Sequence, residues 1–282
     1  MRSLVELAHE RDTLATVAEL TSAFEGIASM HISQIKDEVL ASQSFFDDLW
    51  RIYRQIRVDE KFNFGRHRGA PSIKKELIIL ITAEGSFSGD IDQRVVAEVL
   101  KNYDAKRNDI VVVGTHGAMQ LLQKNVHYQR SFRLPGTDRN INVAPLVAEV
   151  QRYDSTTVYY PTYVSLTHQE VRSTQMSALV AQRGQSVTDG SDVISEGNYI
   201  FEPSTYAVVG HLERSMVNIM LGQIVLDSKL AQYASRFRAM HAARDKADKS
   251  LHNITTTFSQ TKRRLKDERA KEMINGLRKA VS

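Results

Sequence analysis

The chain has 282 residues, of which 42% are hydrophobic and 25% are charged, and this composition fits one large folded domain or two ordinary ones. It contains no cysteine, which excludes disulfides and cysteine metal sites and is typical of a reducing compartment. No apolar run approaches the roughly 20 residues of a membrane span, and the N-terminal sequence MRSLVELAHE lacks a signal-peptide core. We therefore expect a protein that is soluble or peripheral to a membrane.

The net charge of +4 is divided unevenly along the chain. Residues 228–282 hold fourteen Lys and Arg against five Asp and Glu, a net charge of +9, and the remaining residues have a net charge of −5. The C-terminal segment is therefore expected to contact an acidic partner, and both nucleic acid and an acidic protein cavity have the required charge.

The first predicted element is a long N-terminal helix over residues 1–57. Steps of three and four from Leu4 to Ile56 select sixteen residues, of which twelve are apolar, whereas the composition would supply about seven. The segment contains no proline. A helix of this length gains little stability alone in water, so the apolar stripe predicts a partner helix elsewhere in the chain.

The middle of the chain is predicted to be a linker followed by a small α/β domain. Residues 58–75 are basic, contain glycine and are interrupted by Pro71, which is typical of a linker or exposed loop. Strand and helix patterns then alternate over residues 76–205, which indicates a small domain with a parallel sheet. The predicted elements are the buried strands ELIILITAE and DIVVVG, helices at 90–103, 118–122 and 143–153, edge strands in STTVYYPTYVSLTHQEV, and a further strand at 174–181.

The turn after the first strand, ITAEGSFSGDID, matches neither GxGxxG nor the phosphate-binding GxxxxGK[ST] pattern, and it contains no lysine. Asp90 and Asp92 are interpreted as acids at a helix N-terminus rather than as paired catalytic carboxylates. The nine histidines form no HExxH pair, and no GxSxG occurs. The sequence therefore predicts no catalytic residue, no cofactor and no metal site.

The C-terminal segment, residues 206–282, is predicted to be a second long helix. Twelve residues from Leu226 to Leu265 follow steps of four and three, and ten are apolar where about five are expected, which predicts a coiled-coil seam. No proline follows Pro203. The two terminal helices are therefore expected to pair. The predicted seam consists of Leu14, Ala18, Ala28 and Ile32 on the first helix and Phe237, Met240, Ile254 and Phe258 on the second.

This order of elements resembles the gamma subunit of F-type ATP synthases. ITAEGSFSGDID is similar to the family's ITSDRGLCGGLN and keeps Ile81, Thr82 and Gly89. SRFRAMHAARDK resembles ARMVAMKNATDN, and KEMINGLRKA resembles TEIVSGAAAL at the matching distance. TKRRLKDER stands where the family has ARQAxITQE, so the resemblance indicates a divergent member.

The resemblance implies an antiparallel coiled coil of the N- and C-terminal helices with a small Rossmann-like α/β domain inserted between them. It implies a non-catalytic rotor subunit of the central stalk, which couples rotation driven by ion flow to ATP synthesis or hydrolysis in the ring of alpha and beta subunits. The implied partners are alpha, beta, epsilon and the membrane c-ring, without nucleic acid or membrane insertion, at the cytoplasmic face of the bacterial inner membrane. The residues carried over as contacts with the catalytic ring are Arg236, Met240, Lys262, Arg263, Asp267, Glu268 and Arg269.

Three alternatives use the same features. A nucleic-acid-binding coiled coil would also have a basic helix, and KRRLK is the segment that favours it. A coiled-coil scaffold would have the same helices without the family motifs. A small α/β enzyme ranks last, since no catalytic pattern is present.

Overall fold

The computed structural model describes residues 3–55, 73–176 without 86, 135 and 137–140, and 202–281 without 203. Only the backbone is described for 37, 40–55, 205–206, 209, 212–213 and 278–281. The chain divides into two compact units: unit 1 comprises Met1–Ile27 and Phe237–Ser282, and unit 2 comprises Ala28–Arg236. Most of the predicted linker lies outside the described residues, and its last three residues belong to the first strand.

Two long helices stand at the ends of the chain, as the apolar periodicity predicts. Helix α1 spans Leu4–Gln55, and helix α5 spans Thr205–Val281. Helix α1 begins at a capping box, in which Ser3 Oγ accepts the Glu6 backbone N–H at 3.2 Å and Glu6 Oε2 accepts the Ser3 N–H at 2.9 Å. In the part of the chain that the structure describes, no helix is both long and apolar enough to cross a membrane.

Unit 2 contains a five-stranded sheet in the order β3-β2-β1-β4-β5, parallel except for β5. The strands are β1 Ile73–Ile81, β2 Asn108–Val113, β3 Arg130–Phe132, β4 Tyr153–Tyr163 and β5 Gln169–Gln175. The helices between them are α2 Ile91–Asn102, α3 Thr115–Gln123 and α4 Ala144–Val150.

The central strand β1 is apolar throughout because both of its faces are covered. Leu77, Ile79 and Ile81 pack in one cluster with residues of α4 and α5. Ile78 and Leu80 pack in the opposite cluster with α2 and α3. A continuous apolar run of strand length is the expected pattern for such a position, and this prediction is confirmed.

Two sequence predictions in this region need correction, and a third lies mostly outside the described residues. The helix predicted at 143–153 ends at Val150, because Tyr153 already begins β4. Strand β4, predicted at an edge from its alternating polar residues, lies inside the sheet between β1 and β5. Several of its hydroxyls have hydrogen-bond partners there; Thr157, for example, donates its hydroxyl hydrogen bond to Glu76 Oε1 at 2.6 Å. Strand β5 is an edge strand but ends at Gln175, and most of the strand predicted at 174–181 falls outside the described residues.

Within unit 2, α1 packs directly on α5. Ile35 and Val39 form a buried cluster with Leu226 and Leu230. The ring of His31 stacks on Tyr233 with 4.5 Å between centroids. Residues with rising numbers on α1 therefore meet residues with falling numbers on α5, so the two helices run antiparallel.

Candidate functional site

Unit 1 is a pair of antiparallel helices, residues 4–27 of α1 and 237–281 of α5. Leu7, Met240, Ala247 and Ile254 are buried along the seam between them. Near the N-terminal end of α1 the seam opens into a cavity of about 900 Å³. Small and polar side chains of α5, such as Thr257, line this cavity where larger apolar groups would fill it.

The structure brings some of the predicted seam residues of unit 1 together. Leu14 and Ile254 line the same cavity. The ring of Phe258 lies beneath the Arg11 guanidinium, 5.1 Å from the ring centroid. The Phe237 ring is nearly parallel to that of His241, with 6.1 Å between centroids. Ala18 is half-buried in unit 1, whereas Ala28 is fully buried and Ile32 half-buried in unit 2.

The seam of unit 1 also contains a charged cluster that sequence reasoning missed. The Glu25 carboxylate, 12% exposed, lies 2.8 Å from Arg244 Nη1 and 3.0 Å from His241 Nδ1. Along both helices the apolar residues recur at steps of three and four. Glu25 and Arg244 each occupy one of these positions, where the pattern would place an apolar residue. Two opposite charges in two otherwise apolar stripes were the signal that could have predicted this contact.

The residues predicted to contact the catalytic ring differ in exposure. Arg236, in unit 2, lies over the Tyr233 ring at 5.5 Å. Met240 is buried in the seam of unit 1 and offers little surface to any partner. The remaining five are exposed on α5, where Glu268 pairs with Arg264 at 3.2 Å. These five residues are Lys262, Arg263, Asp267, Glu268 and Arg269.

In unit 2, the loop between β1 and α2 is held by the buried carboxylate of Asp92. Asp92 accepts the Ala83 backbone N–H at 3.1 Å and the Ser88 hydroxyl at 2.7 Å, and His116 Nδ1 lies 2.7 Å from it. Ser235 on α5 donates to the Ser88 carbonyl oxygen at 2.6 Å. Asp92 therefore fixes the loop, and the loop is bonded to the long helix.

A second polar contact joins α5 to the end of β4. Thr162 donates its hydroxyl hydrogen bond to the Asp227 carboxylate. Burial raises the pKa of Asp227 above its ordinary value, against the opposing effects of the Thr162 and Tyr163 hydrogen bonds. Among the side chains that the structure describes, no three His, Asp or Glu lie close enough together to hold a metal ion.

Paired terminal helices with an inserted, mostly parallel sheet define a class of helical-hairpin proteins with an α/β insertion. A sequence model of the ATP synthase family matches residues 3–265. The ATP synthase gamma chains of Cytophaga hutchinsonii and Flavobacterium psychrophilum are 20% and 22% identical over 98% of this chain and 98% of their own length. A chain in the central stalk and c-ring structure of the Tetrahymena thermophila mitochondrial ATP synthase matches with a TM-score of 0.57 and 18% identity, over 79% of this chain and 99% of that one.

The chain therefore belongs to the ATP synthase gamma-chain family, as a divergent member. The fold class expected from the sequence is confirmed. The predicted function, that of the central-stalk rotor subunit of an F-type ATP synthase, is confirmed with it. The scaffold and nucleic-acid alternatives are not favoured.

Proposed function

We propose that unit 1 is the part of this rotor subunit that turns inside the ring of alpha and beta subunits. The observation that carries the proposal is the exposed surface of α5 at residues 262–272, which presents six basic and three acidic side chains. Attraction between this surface and an acidic cavity acts over about 10 Å at moderate salt and needs no fixed geometry. Such a contact persists as the shaft rotates, whereas a fixed set of hydrogen bonds would resist rotation.

Unit 1 also differs from one side to the other, as a rotor requires. Helix α1 presents exposed apolar side chains, among them Leu20 and Ile27, whereas α5 presents the basic segment 262–272. Each ring subunit would meet a different face at each angle of rotation, and its preferred conformation would change accordingly. The coupling is mechanical, and this chain supplies no catalytic residue to the ATP reaction between alpha and beta.

The α/β part of unit 2 is proposed to dock the epsilon subunit and the membrane c-ring. The support is family membership together with the polar contacts that bond this part to α5. The protein would then be peripheral at the cytoplasmic face of the bacterial inner membrane, without inserting into it. It would neither bind nucleic acid nor require a cofactor.

The charge of α5 can be tested by reversing Lys262, Arg263 and Arg269 to Glu in the assembled complex. We expect association with the alpha–beta ring to weaken by about tenfold at low salt, because the long-range attraction is lost. ATP-driven ion transport in vesicles should fall with it. A matched control reverses three exposed basic residues of unit 2, Lys106, Arg107 and Lys124, and should leave ring association unchanged.

Two results would contradict the proposal. One is unchanged ring association and transport in the α5 variant. The other is failure of the unaltered chain to co-purify with alpha and beta subunits when all are produced together.

A further inference from the structure

The sheet of unit 2 is basic at one of its two ends. Residues 73–176 are close to neutral, with twelve Lys and Arg against eleven Asp and Glu. Eight of these twelve basic residues nevertheless lie at the end of the sheet where the parallel strands begin. We call this set the basic rim, and it consists of Lys74, Lys75, Lys101, Lys106, Arg107, Lys124, Arg130 and Arg152.

The topology of the sheet brings the basic rim together from four segments of the chain. Strands β1 to β4 are parallel, so all four begin at the same end of the sheet. The rim residues lie at the start of β1, at the end of α2 and in the loop that follows it, between α3 and the start of β3, and directly before β4. Seven of the eight are exposed, and Lys75 is half-buried. The opposite end of the sheet instead contacts α5, through Thr162 and Ser88.

Two acidic residues at the same end of the sheet are buried beneath the basic rim. The Glu149 carboxylate, 7% exposed, lies 2.7 Å from Arg130 Nη1 and 3.1 Å from Arg152 Nη1, yet both arginine side chains remain more than half exposed. Asp109, 12% exposed, lies 2.9 Å from Lys75 Nζ. These acids therefore hold basic side chains in place while they offer little negative charge to a partner.

Four other acids lie at this end of the sheet. Glu76 and Asp154 are half-buried, and Glu98 and Asp104 are 39% and 52% exposed. The rim residues that form no salt bridge with a described residue are Lys74, Lys106 and Lys124. The exposed surface at this end is therefore predominantly positive.

The basic rim lacks the apolar centre of a specific protein interface. Among the described residues, the exposed large hydrophobic side chains of the sheet region lie after the carboxyl ends of β1 and β4 or on α3. They are Phe87, Val164, Leu166, Met119 and Leu122. The centre of a protein interface is poor in charge and rich in aromatic groups, whereas an anionic bilayer attracts basic side chains spread over a surface. The rim therefore fits a lipid surface better than a protein partner.

We propose that the basic rim binds the anionic phosphate headgroups of the membrane surface. This inference rests on the proposed docking of unit 2 to the membrane c-ring, which would bring the rim close to the bilayer, and it adds lipid as a second partner. Attraction of this kind has no fixed geometry, so the rim passes from one headgroup to the next as the rotor turns. Each exposed Lys or Arg at an anionic surface strengthens attachment by about fivefold.

The test uses the full chain assembled with alpha and beta subunits, so that the basic segment 262–272 of α5 is covered by the ring. The complex is sedimented with vesicles of phosphatidylcholine alone or of phosphatidylcholine mixed with phosphatidylglycerol. We expect binding only to the vesicles that contain phosphatidylglycerol. This binding should be lost as salt rises, because salt screens exposed charges.

Two matched charge reversals locate the binding surface. Lys106→Glu with Lys124→Glu changes two exposed residues of the basic rim and should weaken vesicle binding at least about tenfold, with ring association unchanged. Arg133→Glu with Arg172→Glu makes the same change in charge toward the opposite end of the sheet. This control should bind vesicles within about twofold of the unaltered complex, because attraction beyond a Debye length is screened.

Selective loss of vesicle binding in the rim variant would support the proposal. Equal binding to both kinds of vesicle, or equal losses in the two variants, would overturn it, since the rim would then add no specific attraction. Binding that requires the c-ring in the vesicles would also overturn it, because the rim would then recognise protein. Failure to assemble with alpha and beta is observed before vesicles are added, and it would overturn the proposed function and this inference with it.

Discussion

The seam of unit 1 should tolerate truncation better than the core of unit 2, and Ile254→Ala tests this. Ile254 is buried, yet it borders the open cavity of about 900 Å³. The substitution removes three carbon atoms, which corresponds to about 2.4 kcal/mol of transfer free energy. Because the vacated space joins an existing cavity, little additional cavity cost arises. We expect a loss of about 2 kcal/mol, near the lower end of the range for such substitutions.

Leu221→Ala removes the same number of carbon atoms from a closed site. Leu221 is 0% exposed within the cluster between the sheet and α5. A new cavity forms there, so we expect a larger loss of about 4 kcal/mol. Ile274, 54% exposed on the same helix as both, provides the control, and its replacement by Ala should cost less than about 0.5 kcal/mol.

The measurement is urea unfolding followed by circular dichroism, with hydrogen exchange of peptides from each unit to assign the transitions. The expected order of losses is Leu221→Ala, then Ile254→Ala, then Ile274→Ala. Equal losses at 221 and 254 would refute the reasoning, because they would mean that the cavity in unit 1 closes in solution.

Two further predictions concern unit 2. Burial raises the pKa of Asp227 above its ordinary value of 3.8, so the folded state favours the protonated carboxyl group. The contribution of Asp227 to folding stability is therefore fully present below pH 3.8 and is lost as the pH rises through the folded-state pKa. Asp227→Asn should therefore gain stability relative to the unaltered chain as pH rises from 4 to 7 in urea titrations, and a constant difference would contradict this. Gly114→Ala should cost more than about 3 kcal/mol, because position 114 has φ of +99° and a Cβ would lie 2.1 Å from the Thr82 carbonyl oxygen. Gly26→Ala, where a Cβ would meet nothing within 4 Å, is the matched control and should stabilise α1 by about 0.5–1 kcal/mol. Both variants are measured by urea titration, and similar effects at the two glycines would contradict the steric argument.

Periodicity predicted the long helices and the central strand because these elements depend on neighbours at fixed spacing. Leu226 and Leu230 are one turn apart, and both lie in the buried cluster with α1. The covered position of β1 in the sheet was predicted from its continuous apolar sequence, because a strand covered on both faces is apolar throughout. The family motifs then identified the function, which periodicity alone could not.

Periodicity alone did not predict the pairing of Glu25 with Arg244. The spacing of apolar residues shows which face of each helix is buried, but not which residues of the two helices lie opposite each other. The two residues are more than two hundred positions apart in the sequence. The Asp92 contacts were missed for the same reason, since parallel strands bring His116 to Asp92 across 24 positions of sequence.

The polar contacts of α5 in unit 2 have a consequence for a rotor. An apolar interface between a helix and a sheet can slide at modest cost, because apolar contacts have no fixed direction. Hydrogen bonds at Asp227 and Ser235, about two turns apart on α5, have defined lengths and angles. Ser235 is fully buried and Asp227 is half-buried, so breaking either bond leaves a polar group with reduced access to water. These two contacts therefore oppose sliding of α5 over the sheet, which is the property that transmission of torque through a long helix requires.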